Sequence, residues 1–114
     1  MTNLQEIISE LNLNLLTNPN IIKDKNAEFG YASDMLSCVM AGAKHNSIWV
    51  TLQAHLNIIA VATLLDLSAI IITEGNLPDA SVIEKANRED VILLSTKEST
   101  FYIAGRLWQI GIRS

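Results

Sequence analysis

Leu4, Ile7, Ile8 and Leu11 fall at the spacing of one helical face. Thr2 with Gln5 three residues on forms a capping box ahead of them, so the chain is predicted to open with an amphipathic helix. Alternation replaces that period in "LNLNLLT", the mark of a half-buried strand, and "NPN" at Asn18 to Asn20 turns the chain. Asn20 to Asn26 follows neither period. "AEFGY" predicts a second strand. Ser33 then stands where a helix N-cap would, with Asp34 in the first turn, where a carboxylate suits the helix dipole. Met35, Leu36, Val39, Met40 and Ala43 form the apolar stripe of that helix, and Gly42 with "KHNS" ends it.

"IWVTL" at Ile48 to Leu52 is β-rich enough for a central strand. The next helix, from about His55 to Asp66, is apolar nearly all the way round, which predicts cover by a neighbouring helix or a second subunit and motivates a homodimer. "AIIIT" at Ala69 to Thr73 is a short continuous apolar run, as in buried parallel strands, and "EGNLP" breaks it. Asp79 caps a helix that turns Val82, Ile83 and Ala86 inward and leaves Glu84, Lys85, Arg88 and Glu89 wet. "VILLS" is the next strand, Ser99 starts a last helix ending near Gly111, and "GIRS" is a short frayed tail. Leu56 to Ile72 approaches the length of a membrane span, but Asn57, Asp66 and Ser68 fall inside it and mark a hinge between helix and strand, so no membrane is expected as a partner. Strands and helices alternate from Leu13 onward with short connections. The fold class is therefore α/β, with a mostly parallel sheet of about five strands joined by βαβ crossovers.

Composition changes the picture in three places. A chain of 114 residues has room for one domain, taken as 1–114, and its 49% hydrophobic content with a mean hydropathy of +0.27 points to elements buried on both faces or to a subunit interface. A net charge of −4, with basic residues scattered rather than striped, lacks the footprint of a nucleic-acid binder. The single cysteine, Cys38, excludes an internal disulfide and a cysteine-built metal site, and fits a reduced cytosolic compartment. Glu6 and Glu10 interrupt what a signal peptide would keep apolar.

In a parallel sheet the loops leaving the carboxyl ends of the strands gather distant residues, and ligands bind there near a topological switch point. Four loops qualify: 30–34, 51–57, 73–76 and 95–99, each preceding a helix N-terminus whose free amides favour an anion. His55, at or near a helix start, is the sharpest candidate, as a neutral donor and acceptor. Gln53 and Asn57 carry the paired groups that suit a nucleobase or amide edge, and the same groups tie loops together. Ser33, Asp34 and Thr51 border them. Glu74 and Gly75 would let backbone approach a ligand closely, or make a simple turn. Cys38 is assigned to packing, and Tyr102 and Trp108 to core or interface. No Gly-rich phosphate loop, dinucleotide fingerprint or receiver-type acidic pair is present. The two histidines stand ten residues apart, a spacing that suits no helical metal pair, so neither metal nor cofactor is expected.

"GYASDMLSCVMAGAKHNSIWVTLQAHLNIIAVATLLDLSAIIITEG", together with "IEKANREDVILLSTKESTFYIAGRLWQIGI", resembles the DRTGG domain. That module occurs alone or joined to phosphotransacetylase or CBS-domain pyrophosphatases, and is related in fold to the N-terminal domain of HPr kinase/phosphorylase. The resemblance covers nearly everything after Ala27 and is most specific in "SDMLSCVM" at Ser33 to Met40 and "HLNIIAVA" at His55 to Ala62. The name-giving Arg-Thr-Gly-Gly is absent, its nearest counterpart being "TEGN" at Thr73 to Asn76. The resemblance implies a three-layer α/β/α domain, often dimeric, regulatory, binding a small effector and accessory to energy metabolism.

The expected function is a non-enzymatic regulatory domain. It would bind an anionic metabolite or adenine nucleotide through Ser33, Asp34, Thr51, Gln53, His55, Asn57, Glu74 and Gly75. The alternative is an interaction module whose His55 to Asp66 helix docks a partner protein with no small ligand. A third reading, a small enzyme, needs His55 as general base within hydrogen-bond reach of Asp34.

Overall fold

Ile70, Ile71 and Ile72 offer no polar alternate, and such a run is stable only where both faces of a strand are covered. In the computed structural model, which describes residues 2–22 and 24–114, this run forms the middle of a five-stranded sheet. In chain order the elements are β1 (Thr2–Asn3), α1 (Leu4–Glu10), β2 (Asn14–Leu15), a 3-10 turn (Pro19–Ile22), β3 (Asn26–Ala27), β4 (Phe29–Ala32), α2 (Leu36–Gly42) and β5 (Ser47–Thr51). There follow α3 (Asn57–Leu65), β6 (Ala69–Ile72), α4 (Ala80–Arg88), β7 (Leu93–Ser95) and α5 (Thr100–Gln109). The sheet order is β2-β7-β6-β5-β4, with β4 to β7 parallel and β2 antiparallel at one edge.

Register sorts the side chains into two cores. Tyr31, Trp49, Ile70 and Leu93 lie side by side across the sheet and pack with Val39, Ile58, Ile59, Ala62, Val82 and Ala86 from α2, α3 and α4. The next row, Val50, Ile71 and Leu94, faces the opposite way, onto Leu4, Ile7 and Ile8 of α1 and Ile103 and Leu107 of α5. The three-layer α/β/α architecture follows. From β4 to β7 each strand adds beside its predecessor with its helix on one face, and only α5 crosses to the other face, beneath β4 and β5. The loops that diverge to opposite faces are therefore those after β6 and β7, which is where the switch point of this sheet lies.

Several local expectations shift. Asn3, not Thr2, caps α1, its side-chain oxygen accepting from the amides of Gln5 (2.8 Å) and Glu6 (3.3 Å), while Thr2 pairs with Ala27 in a small second sheet of β1 and β3. The alternating "LNLNLLT" contributes only Asn14–Leu15 to the sheet, because Asn12 takes a left-handed conformation (φ 53) to leave α1. "AEFGY" divides between β3 and β4, and the stretch without a period holds the 3-10 turn. In α2 only Val39 of the expected stripe is buried, Met35 and Met40 being exposed. The apolar α3 is flanked by α2 and α4, so its sides are covered within one chain and do not by themselves require a second subunit. Asp66, at φ 55, ends α3 before β6 and divides the long apolar stretch. Among the described residues no helix is long and apolar enough to cross a membrane. The closing residues are not frayed: Ile112 is buried, and the Gly30 amide donates to the Arg113 carbonyl (2.9 Å). Tyr102 and Trp108 are exposed rather than core.

Ser47, at the start of β5, is buried, and among the described residues its hydroxyl has no hydrogen-bond partner. Burying an unpaired hydroxyl opposes folding, so Ser47→Ala is expected to stabilise by about 1 kcal/mol and raise the melting temperature by about 4 °C in calorimetry.

Candidate functional site

The carboxyl ends of β4, β5, β6 and β7 bring the four polar loops together, and hydrogen bonds between them show how far each side chain is already used. Buried Trp49 donates through Nε1 to the Ser33 carbonyl (2.8 Å), fixing the β4-to-α2 loop against β5. Ser33 is not the N-cap: that position is Met35, whose amide donates to Ser33 Oγ (3.2 Å). Asp34 lies outside the first turn of α2. Its Oδ1 reaches across to β5, accepting from the Thr51 hydroxyl (2.8 Å) and the Leu52 amide (2.9 Å). Gln53 completes the clasp, its amide donating to Thr51 Oγ1 (3.1 Å) and its Nε2 to the Asp34 carbonyl (3.0 Å). A carboxylate that satisfies a hydroxyl and a backbone amide 17 and 18 residues away joins two loops.

A second knot sits at the switch point. Thr73 is fully buried; its hydroxyl donates to the Thr51 carbonyl (3.3 Å) and accepts from Thr100 (2.6 Å). Glu74 and Gly75 both take positive φ (63 and 75), and their amides donate to the carbonyls of Glu98 (2.8 Å) and Thr96 (3.1 Å). Glycine adopts that conformation at little cost, whereas Glu74 does so at roughly 1–2 kcal/mol. The compensation is visible: Glu74 Oε2 accepts from the Thr100 amide (2.9 Å) at the start of α5, where Ser99 Oγ accepts from Tyr102 (3.1 Å). Glu74 thus places a carboxylate in the position where a helix N-terminus attracts an anion. Asn76 Nδ2 donates to the Leu52 carbonyl (2.8 Å) and links the two knots.

The eight candidate residues therefore divide. Ser33, Asp34, Thr51 and Gln53 meet in one clasp, and Glu74 with Gly75 in the other. His55 and Asn57 stand exposed at the start of α3, whose N-cap residue, Leu56, supplies no side-chain acceptor. Among the described residues no hydrogen bond joins Asp34 to His55, and Asp34 is engaged by the Thr51 hydroxyl and the Leu52 amide instead. Asn76, Thr96 and Thr100 belong to the rim and were not singled out by sequence; Thr100 differs in no local respect from any helix-start threonine. Among the described residues no group of three His, Cys, Asp or Glu side chains is placed to hold a metal ion.

Fold and rim together define a small three-layer α/β/α domain whose polar loops converge at the carboxyl end of a parallel sheet. The chain belongs to the DRTGG domain family, whose model matches residues 6–110. The fold is similar to the crystal structure of the CBS and DRTGG domains of the regulatory region of Clostridium perfringens pyrophosphatase, complexed with its activator, diadenosine tetraphosphate. The TM-score is 0.73 at 19% identity over 91% of this chain. The match spans 45% of the pyrophosphatase chain, less than half its length, and at this identity the likeness is one of fold. No curated protein sequence matches the chain. The family match begins at Glu6, within α1, so the likeness read from Ala27 onward extends back into the N-terminal helix.

Proposed function

We propose that the chain is a single non-catalytic regulatory domain that binds a small anionic effector, an anionic metabolite or adenine nucleotide, at the start of α3. The observation that carries this reading is which helix start stays open. The first turn of α5 is filled by Glu74 and Ser99, the N-cap of α4 is the carboxylate-bearing Asp79, and the Met35 amide before α2 is taken by Ser33. Among the described residues α2 and α3 both begin without a side-chain cap bond or an acidic cap, and of the two it is α3 that starts beside the exposed donors of His55 and Asn57. Asp34 and Glu74, each engaged by a backbone amide, repel an incoming anion less than free carboxylates would. The likeness to a pyrophosphatase regulatory region that binds a dinucleotide activator supports the nucleotide form of this reading. An accessory role in energy metabolism, in the cytosol, is the setting proposed with it.

Thermal-shift titration against adenine nucleotides, diadenosine polyphosphates, acyl phosphates and small organic acids tests the proposal. A ligand at about 100 times its Kd adds roughly 2.7 kcal/mol, which moves the melting temperature by about 10 °C. His55→Ala and Asn57→Ala are expected to abolish the shift while leaving the ligand-free melting temperature within about 2 °C, since both side chains are exposed. No shift with any compound overturns it.

The second reading, docking of a partner protein, is favoured by Met35, Leu52 and Leu56, apolar side chains exposed around the same end of the sheet, with Leu64 exposed further along α3. A partner retained by His55→Ala but lost by Leu56→Asp would select it.

A further inference from the structure

Val50 of β5 and Leu107 of α5 are buried in the core on the α5 face of the sheet, but toward the edge strand β4 that core gives way to an apolar cavity of about 150 Å³. Small residues create the hollow. Ala32 on β4 and Ala104 on α5 line it where longer side chains would close it, whereas protein interiors ordinarily leave few voids larger than a water molecule. Gly30 acts differently: a Cβ there would stand 3.0 Å from Ile112 Cγ2, so its absence lets Ile112 come in against the strand as a wall of the cavity. The Trp108 ring supplies another wall. An apolar cavity of this volume stays dry and accepts one benzene-sized ring.

A single charged side chain borders the cavity. Arg113 lies beside Ser114 at its polar margin, with the guanidinium over the Trp108 ring, 4.6 Å from its centre. Its backbone is held as well, because the carbonyl accepts from the Gly30 amide (2.9 Å). A guanidinium that presents its face to an indole keeps the N–H donors in its plane available, and among the described residues Arg113 enters no ion pair. Among those residues no aspartate or glutamate lines the cavity. One positive charge with a planar fork of donors matches one carboxylate, whereas a phosphate monoester would bring more charge than it neutralises.

We infer that this cavity is a binding site for a small aromatic carboxylic acid, its ring held between β4 and α5 and its carboxylate paired with Arg113. Burial of the ring supplies the affinity, and Arg113 selects the anion. The site lies on the face of the sheet opposite α2, α3 and α4, and it shares no residue with the effector site proposed at the start of α3.

Isothermal titration calorimetry of the full chain with benzoate, benzamide and acetate gives the test. Benzoate is expected to bind one site per chain with a dissociation constant below about 1 mM. Benzamide keeps the shape without the charge and acetate keeps the charge without the ring, so each is expected to bind at least about tenfold more weakly. Ala104→Leu fills the hollow from a half-buried helix position and should lose benzoate binding with a melting temperature at or above that of the wild type. Arg113→Gln removes the charge but keeps the backbone bond to Gly30, and should bind benzoate no better than benzamide. His55→Ala should bind benzoate as the wild type does, which separates this site from the one on α3. Absence of saturable benzoate binding by the wild type overturns the inference. So does equal affinity for benzamide, a benzoate affinity unchanged in either Ala104→Leu or Arg113→Gln, or its loss in His55→Ala.

Discussion

Trp49→Ala is expected to lower the stability of the domain by about 3–5 kcal/mol, the range for deleting a large buried aromatic side chain. For a domain of this size the melting temperature falls by on the order of 12–20 °C. Trp49 is completely buried at the centre of β5, between Tyr31 of β4 and Ile70 of β6, and faces the core formed with α2, α3 and α4. Its removal leaves a cavity in the middle of the sheet and an unpaired carbonyl at Ser33. With total stabilities of 5–15 kcal/mol typical, the variant stands near the edge of folding at 37 °C. Trp49→Phe separates the two terms: the ring packing is largely kept and the bond to Ser33 is lost, with an expected cost of about 1–3 kcal/mol. Chemical denaturation followed by circular dichroism measures both, and a loss under 1 kcal/mol for Trp49→Ala would contradict the burial.

Thr73→Val is expected to cost about 1–2 kcal/mol, or roughly 4–8 °C, although the two side chains have nearly the same shape. The hydroxyl proton goes to the Thr51 carbonyl and the oxygen accepts from Thr100, so one atom joins the loops after β5, β6 and β7. Replacing it by a methyl group strands the Thr100 hydroxyl. Thr100→Val alone should cost less, because the Thr100 backbone amide keeps its bond to Glu74. Once Thr73 is valine, adding Thr100→Val should cost little further. Additive losses in that double-mutant cycle would show that the two hydroxyls act separately.

The parts of this structure that could be read from sequence are those that depend on periodicity. The "AIIIT" run, the "IWVTL" strand and the alternation of strand and helix from Leu13 onward encode burial on both faces directly, and they led to the α/β fold and the convergence of four loops. The parts that could not be read depend on partners distant in sequence. Asp34 is a reasonable first-turn charge by local chemistry, and nothing near it reveals that the Thr51 hydroxyl and Leu52 amide will draw it onto β5. Glu74 resembles half of a turn until α5 folds against it. The two residues of β1 have no detectable pattern, and a choice between Thr2 and Asn3 as cap turns on a pairing with Ala27 that lies a whole motif away. Aromatic spacing on α5 was legible, but the side it faces was not: Ile103 and Leu107 take the inward positions, which leaves Phe101 and Trp108 outside. For the candidate site, sequence identified which loops meet, and the structure separates the residues that bind the loops to each other from His55 and Asn57.

Thr2 pairs with Ala27, and Arg113 bridges Phe29, so the first and last described stretches of backbone attach within two residues of each other on the same segment. A domain held in this way can be spliced into a surface loop of a host protein, or tethered to it from either side, without stretching its sheet. Any pull transmitted through such tethers would fall first on the amino end of β4, while the rim at the opposite end of the strands keeps its geometry.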